Sequence, residues 1–272
     1  MKHKLTIITI NYNNIKGLEQ TFNSVFNQTY QDFEYVVIDG GSTDGSKELI
    51  EQYQDKIHYW VSEKDNGIYN AMNKGILKST GEYLQFLNSG DYLISDTVFE
   101  KMLVDLPQCD MAYGNCILVF PDGKTRKENP SESGINFETF FRATINHQSA
   151  FFNRSLFDKY GLYDEQLKLA SDWKFFFIAF GLNPSNTIYR NIDMVYYAMD
   201  GISISQHQIW ETEKQAVLKA LVPLPILEEY KKNQVDVAMM KLIRKHGFTK
   251  FMYRVFQIVV IRVSRFLDWI KG

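Results

Sequence analysis

Short apolar runs alternate with helical patterns from Leu5 to Leu87, and this alternation constrains the fold more than any other feature of the chain. Leu5-Thr6-Ile7-Ile8-Thr9-Ile10 is rich in β-branched residues and ends at Asn11-Tyr12-Asn13-Asn14. Glu34–Ile38, Ile57–Val61 and Tyr83–Leu87 repeat the design. Runs this short, bounded by polar turns, read as buried strands. Between them Leu18, Phe22, Val25 and Phe26 recur at helical spacing, as do residues in Ser46–Tyr53 and Tyr69–Leu77, the last with Ala71, Met72, Ile76 and Leu77 turned inward. The expected class is α/β, a Rossmann-like, mostly parallel sheet flanked by helices. Such sheets bind ligands beyond the carboxyl ends of their strands. The polar turns that begin at Asn11, Asp39 and Asn88 all fall at that end.

After residue 95 the pattern changes. Asp110–Phe120 reads as a strand or hairpin arm closed by the turn Pro121-Asp122-Gly123-Lys124, and Ser131–Asn136 as a loop. Ala150-Phe151-Phe152 is apolar, Leu156–Tyr160 is helical, Asp172–Phe180 is an aromatic-rich helix, and Ile188-Tyr189 and Val195-Tyr196-Tyr197 read as strands. A boundary near residue 205 divides a domain over 1–205 from a helical extension over 206–272. In the extension His207–Leu221 and Leu227–His246 carry helical patterns, with Pro223 and Pro225 breaking between them.

Charge narrows the partners. The net charge of -2 argues against a general nucleic-acid binder. Residues 231–272 nevertheless hold ten Lys and Arg against Asp236 and Asp268, leaving an acidic body with a basic tail. In Lys250–Lys271, Arg254, Gln257, Arg262, Arg265 and Asp268 share one side of a helical wheel and the apolar residues fall largely on the other. Three arginines argue against a membrane span. The pattern fits a basic amphipathic helix on an anionic membrane surface, or one packed on the domain or in a dimer interface. Cys109 and Cys116 are the only cysteines, which excludes a Cys-rich zinc site and fits a reducing compartment. Leu5–Ile10 is too short for a signal sequence core. The expected location is cytoplasmic, with peripheral attachment to the inner face of the cell membrane.

Four segments carry candidate chemistry. In Asp39-Gly40-Gly41-Ser42-Thr43-Asp44-Gly45 the glycines allow a sharp turn and close approach to a ligand, although a plain strand-turn-helix junction reads the same way. Neither GxGxxG nor GxxxxGK[ST] occurs, so dinucleotide and P-loop chemistry are excluded. Asp65 stands just before Gly67 and a helix start, and Asn70 and Asn73 share a face of that helix, which invites polar contacts. Asn88-Ser89-Gly90-Asp91 offers one carboxylate, enough for Mg²⁺ or Mn²⁺ bound through a diphosphate. Asp172, beside Trp173 and Phe175–Phe177, sits where bulk excludes water and raises a carboxyl toward the range of a general base. His147, alone in Ile145-Asn146-His147-Gln148-Ser149, forms no nucleophilic triad with local neighbours.

In this order and spacing, over about residues 4–205, these segments resemble the inverting glycosyltransferases of family 2, which have the GT-A fold. Thr6–Asn13, Gln28–Glu34, Asp39–Gly45, Asp65–Gly75, Gly81-Glu82-Tyr83, Leu87–Asp91, His147-Gln148-Ser149 and Ser171-Asp172 carry the likeness. The resemblance implies a UDP- or GDP-sugar donor contacted by Asn11, Tyr12, Asp39, Asp65, Asn73, Ser89 and Gly90. It implies a divalent metal, Mn or Mg, on Asp91, and Asp172 as the base that deprotonates an acceptor hydroxyl. His147 and Trp173 would lie near donor or acceptor. Gly90 stands where the family often has a second carboxylate, which implies weaker metal binding. The implied reaction is inverting sugar transfer to a saccharide or lipid-linked saccharide in surface polysaccharide biosynthesis. A sugar nucleotidyltransferase and a non-catalytic nucleotide-sugar-binding assembly partner are the alternatives. The sequence names neither the sugar nor the oligomeric state.

Overall fold

The computed structural model describes residues 3–130, 134–199 and 206–232. The expected basic helix over Lys250–Lys271 and most of the pattern in Leu227–His246 lie outside the described residues. The chain forms two compact units, residues 1–214 and 215–272.

The first unit is built on a sheet whose described strands run in the order β3 (Tyr59–Ser62), β2 (Phe33–Asp39), β1 (Leu5–Asn11), β4 (Tyr83–Phe86), β8 (Ala150–Asn153), β6 (Met111–Val119), β9 (Thr187–Ala198) and β5 (Tyr92–Leu93), with β7 (Thr125–Glu128) paired to β6. Its parallel part is β1 (Leu5–Asn11), β2 (Phe33–Asp39), β3 (Tyr59–Ser62) and β4 (Tyr83–Phe86). All seven residues of β1 and of β2 are buried, which explains why both read as unbroken apolar runs. Alternation sorts their faces. Leu5, Ile7, Tyr35 and Val37 join Leu18, Phe22 and Val25 of α1 (Ile15–Phe26) in one core. Ile8 and Ile38 point to the opposite face and meet α3 (Ile68–Lys78) at Gly75, where an added Cβ would collide with Ile8 Cγ2. The glycine lets α3 lie close on the sheet. α2 (Ser46–Gln52) follows β2. Leu77, expected inward, is 70% exposed, because Met72, Gly75 and Ile76 take the face toward the sheet and Leu77 lies one step further round the helix.

Beyond β4 the sheet becomes mixed. β5 (Tyr92–Leu93) and α4 (Val98–Leu103) lead to the hairpin of β6 (Met111–Val119) and β7 (Thr125–Glu128). α5 (Phe137–Arg142) begins with a capping box between Asn136 and Thr139. β8 (Ala150–Asn153) runs antiparallel to both β4 and β6. α6 (Ser155–Tyr160) and α7 (Ser171–Phe176) follow, and α7 continues as a π-helical turn, Phe177–Gly181. The two strands expected at 188–189 and 195–197 are one, β9 (Thr187–Ala198), parallel to β6 across a register shift at Asn115. Polar residues Arg190 and Asn191 hide this continuity in the sequence. α8 (His207–Leu221) matches its expected span.

The contact at Gly75 yields a prediction. Gly75→Val forces a β-branched side chain against buried Ile8 and lowers stability by about 1–3 kcal/mol, read as a lower urea midpoint with unchanged slope.

Candidate active site

The rim where β1, β2 and β3 end is tied together by one carboxylate. Asp39 is fully buried. Its Oδ1 accepts from Asn11 Nδ2 (2.7 Å) and Ser42 Oγ (2.5 Å), and its Oδ2 from the Ser42 backbone N–H (2.9 Å) and Ser62 Oγ (2.6 Å). Burial alone pushes Asp39 up, but these four donors outweigh it and hold the carboxyl below its usual range. With both oxygens filled, Asp39 braces the glycine-rich turn and has no lone pair left for a nucleobase, contrary to the role the resemblance implies. Asp44, further along the turn, accepts from the first N–H of α1 (Ile15, 2.8 Å) and of α2 (Ser46, 3.1 Å).

Above this brace lies a slot. The position a Cβ of Gly40 would occupy is 3.2 Å from the Tyr12 ring and 3.2 Å from Asp65 Oδ2. Tyr12 is 68% exposed, so one ring face is open. Asp65 Oδ1 is paired with Lys74 Nζ at 2.6 Å, and the same ammonium holds Glu63 at 2.6 Å. Burial, with Glu63 and Asp39 nearby, raises Asp65 against the pull of Lys74. A side chain at Gly40 would crowd both, so the bare glycine is what lets Tyr12 and Asp65 approach the turn this closely. Asn11 Oδ1, enclosed at the same rim, has no hydrogen-bond partner.

The turn after β4 extends the rim. Ser89 N–H donates to Ile10 O (3.1 Å), Asn14 Nδ2 to Ser89 O (3.1 Å), and Thr21 Oγ1 to Asp91 O (2.7 Å). Gly90 adopts φ 101°, a left-handed conformation that favours glycine and accounts for its place here. The buried Asp91 side chain accepts from Ala198 N–H at 3.3 Å. Asn88 Oδ1, in the same turn, is enclosed without a hydrogen-bond partner. One carboxylate and one unmet neutral oxygen fit the small protein share of an Mg²⁺ or Mn²⁺ site completed by phosphates and water. Among the described residues no group of three or more His, Cys, Asp or Glu is placed to hold a metal ion.

Asp172 opens α7 beside the first turn of α3. Tyr69 OH donates to its Oδ1 at 2.8 Å, and His147 Nδ1 lies 3.2 Å from its Oδ2. Burial favours the neutral acid, but His147, Tyr69 and the Trp173 backbone N–H win, and Asp172 is held below the usual carboxylate range. The expectation of a raised value fails because the aromatic setting arrives with two hydrogen-bond donors.

Two sequence-derived contacts take structural roles instead. Trp173 is fully buried, its Nε1–H donates to Phe140 O (3.0 Å) and Ala143 O (3.1 Å), and its ring stacks on Phe177. No face of it is left for a sugar. Asn73, also buried, donates to Tyr163 O (2.9 Å) and Glu165 Oε1 (2.9 Å) and accepts from Tyr163 N–H (3.0 Å), fixing the loop that leads to Asp172 rather than a nucleotide. Asn70 reaches the other oxygen of Glu165 at 2.9 Å. At the far end of that loop Glu213 of α8 accepts three backbone N–H bonds, from Lys168, Leu169 and Ala170, at 2.7, 2.9 and 3.0 Å. Its neighbour Lys214 is buried against the rings of Trp173 and Trp210. Sequence reasoning missed Tyr69, Glu165 and Glu213. Tyr69 stands one helical turn before Asn73 and could have been found by that spacing, whereas Glu213 carries no local signal.

The fold and the order of its strands define a GT-A-like framework. The chain belongs to glycosyl transferase family 2, whose family model matches residues 6–162. It is 33% identical over 177 residues to an uncharacterized glycosyltransferase of Mycobacterium tuberculosis, covering 63% of this chain and 66% of that relative. It is 28% identical over 189 residues to a PGL/p-HBAD biosynthesis glycosyltransferase of Mycobacterium bovis, covering 66% of this chain and 71% of the relative. Among solved structures, Staphylococcus aureus TarS 1–349 in complex with UDP-GlcNAc superposes with TM-score 0.61 at 20% identity, over 75% of this chain and 61% of that one. The mannosyltransferase PcManGT of Pyrobaculum calidifontis, in complex with GDP-Man and Mn²⁺, gives TM-score 0.58 at 15% identity, over 79% and 62%. At these identities the structural likeness is one of fold.

Glu213→Ala strips three backbone donors of their common acceptor. Amide exchange at buried Leu169 and Ala170 accelerates about tenfold or more, since an unmet buried donor costs about 1–3 kcal/mol. Unchanged protection at those amides refutes the clamp.

Proposed function

We propose that the chain transfers one sugar from a UDP- or GDP-sugar to a hydroxyl of a saccharide or lipid-linked saccharide, inverting the anomeric centre. The observation that carries this reading is Asp172, an ionised carboxylate gripped by Tyr69 and His147 beside the start of the same helix that follows Asp65. Asp172 takes the acceptor proton as the hydroxyl oxygen attacks the anomeric carbon. The bond to the diphosphate breaks on the opposite face and the nucleoside diphosphate leaves. The Tyr12–Gly40–Asp65 slot receives the base, with Tyr12 stacking on it and Asp65 Oδ2 as acceptor. Ser89 and Gly90 line the sugar-phosphate side.

A divalent cation held by Asp91, with Asn88 Oδ1 nearby, would neutralise charge growing on the departing diphosphate. The ligands of the TarS and PcManGT complexes, UDP-GlcNAc, GDP-Man and Mn²⁺, support a nucleotide-sugar and a metal. The M. bovis relative, named for PGL/p-HBAD biosynthesis, together with the basic composition of residues 231–272, supports a lipid-linked acceptor at an anionic membrane surface. Among the described residues no helix is long and apolar enough to cross a membrane. In this reading residues 1–205 form the catalytic domain and 206–272 the extension that meets the acceptor's surroundings.

Asp172→Asn lowers turnover by about 10²–10⁴-fold while donor affinity is kept; near-normal transfer by this variant removes Asp172 from the role. Asp91→Ala abolishes the Mn²⁺ dependence of UDP- or GDP-sugar binding, measured by calorimetry with and without the ion. An unaltered Mn²⁺ effect excludes Asp91 as the ligand.

A further inference from the structure

We propose that Tyr69 and His147 are positioning residues that grip the two oxygens of Asp172, one each, and leave the carboxylate a lone pair for the acceptor hydroxyl. The inference rests on the reading of Asp172 as the base.

The grip is assembled from three places. Tyr69 lies in the first turn of α3, His147 in a short 3₁₀ turn ahead of β8, and Asp172 at the start of α7, separated from the other two by 103 and 25 residues. None of these contacts follows from local structure. The Tyr69 ring is buried and tilted against Tyr163. Burial, reinforced by the charge of Asp172, pushes its phenol well above the usual value, so it remains a donor at every pH the fold survives.

His147 presents its ring edge-on to Phe86 and directs Nδ1 at Asp172. To donate to an ionised carboxylate, Nδ1 must carry the proton. Nε2 is enclosed and has no hydrogen-bond partner. A buried ring nitrogen without a partner is a penalty that an apolar residue would not carry, and the bond to Asp172 is what the histidine gives in return.

The other ionisable groups around Asp172 are occupied elsewhere or neutral. Tyr163 OH, from the preceding loop, is buried and kept protonated by burial and the Asp172 charge. Lys174 on α7 is paired with Asp164 at 2.6 Å, and Glu213 on α8 is taken by backbone N–H groups. Tyr69 and His147 are therefore the side chains that set both the orientation and the basicity of Asp172. Its side chain keeps 18% exposure, and through that opening the acceptor arrives.

The test uses the full chain with Tyr69→Phe, His147→Ala and His147→Asn. The side-chain N–H of asparagine can replace Nδ1–H. Nucleoside diphosphate release from UDP-GlcNAc and GDP-mannose is followed against pH, and the Asp172 carboxyl is titrated by ¹³C NMR. Asp172 is depressed in the fold, so losing a donor raises it. The acid limb of kcat/KM and the NMR midpoint both move up by about one pH unit in Tyr69→Phe and His147→Ala. Turnover falls about tenfold with donor affinity unchanged, and His147→Asn restores both. An unmoved midpoint and pH profile in Tyr69→Phe and His147→Ala overturns the proposal, as does a His147→Asn variant no better than His147→Ala. Normal turnover in Asp172→Asn instead overturns the base assignment. That outcome is distinct from a failed positioning role, in which Asp172→Asn is inactive and the other variants behave as wild type.

Discussion

The buried carboxylate of Asp39 holds the ends of β1, β2 and β3 together. A charge in that position is tolerable only because donors from three strand ends reach it: Asn11 ending β1, Ser42 after β2 and Ser62 ending β3. Because its folded value is depressed, its stabilising effect is present above the ordinary carboxyl range and is lost as pH falls through the folded value. The turn that this charge braces carries Gly40, and Gly40 sets the spacing between Tyr12 and Asp65. The shape of the slot thus depends on a residue that does not line it with a free lone pair.

The acids of the site meet the cost of burial in different ways. Asp39 takes four neutral donors. Asp65 takes one ammonium and remains raised, with a second oxygen facing the slot. Asp172 takes one phenol and one imidazole and is depressed. The direction of each shift follows from how many donors reach the carboxylate rather than from depth alone.

The parallel strands, the helices between them and the polar turns at their ends were legible because β1 and β2 are buried on both faces and read as unbroken apolar runs. The family resemblance pointed to acids that the structure places at strand and helix ends, Asp39 ending β2 and Asp172 opening α7. It was weaker on what each side chain touches. Asn73 and Trp173 sit in the same motifs as the site, yet the structure spends them on Tyr163, Glu165, Phe140 and Ala143, contacts that only tertiary geometry reveals. The depression of Asp172 was hidden for the same reason: aromatic neighbours suggest desolvation, and nothing local announces a phenol 103 residues away. Glu213 was beyond reach, since a glutamate on an amphipathic helix reads as solvated until three backbone N–H groups are found beneath it.

The loop between α6 and α7 is fastened from outside. Asn73 grips its backbone at Tyr163, and Glu213 grips it at 168–170. Its exposed side chains, such as Leu162 and Gln166, are not needed to keep its course. Substitutions at those two positions therefore leave both backbone holds on the loop, and with them the start of α7, in place.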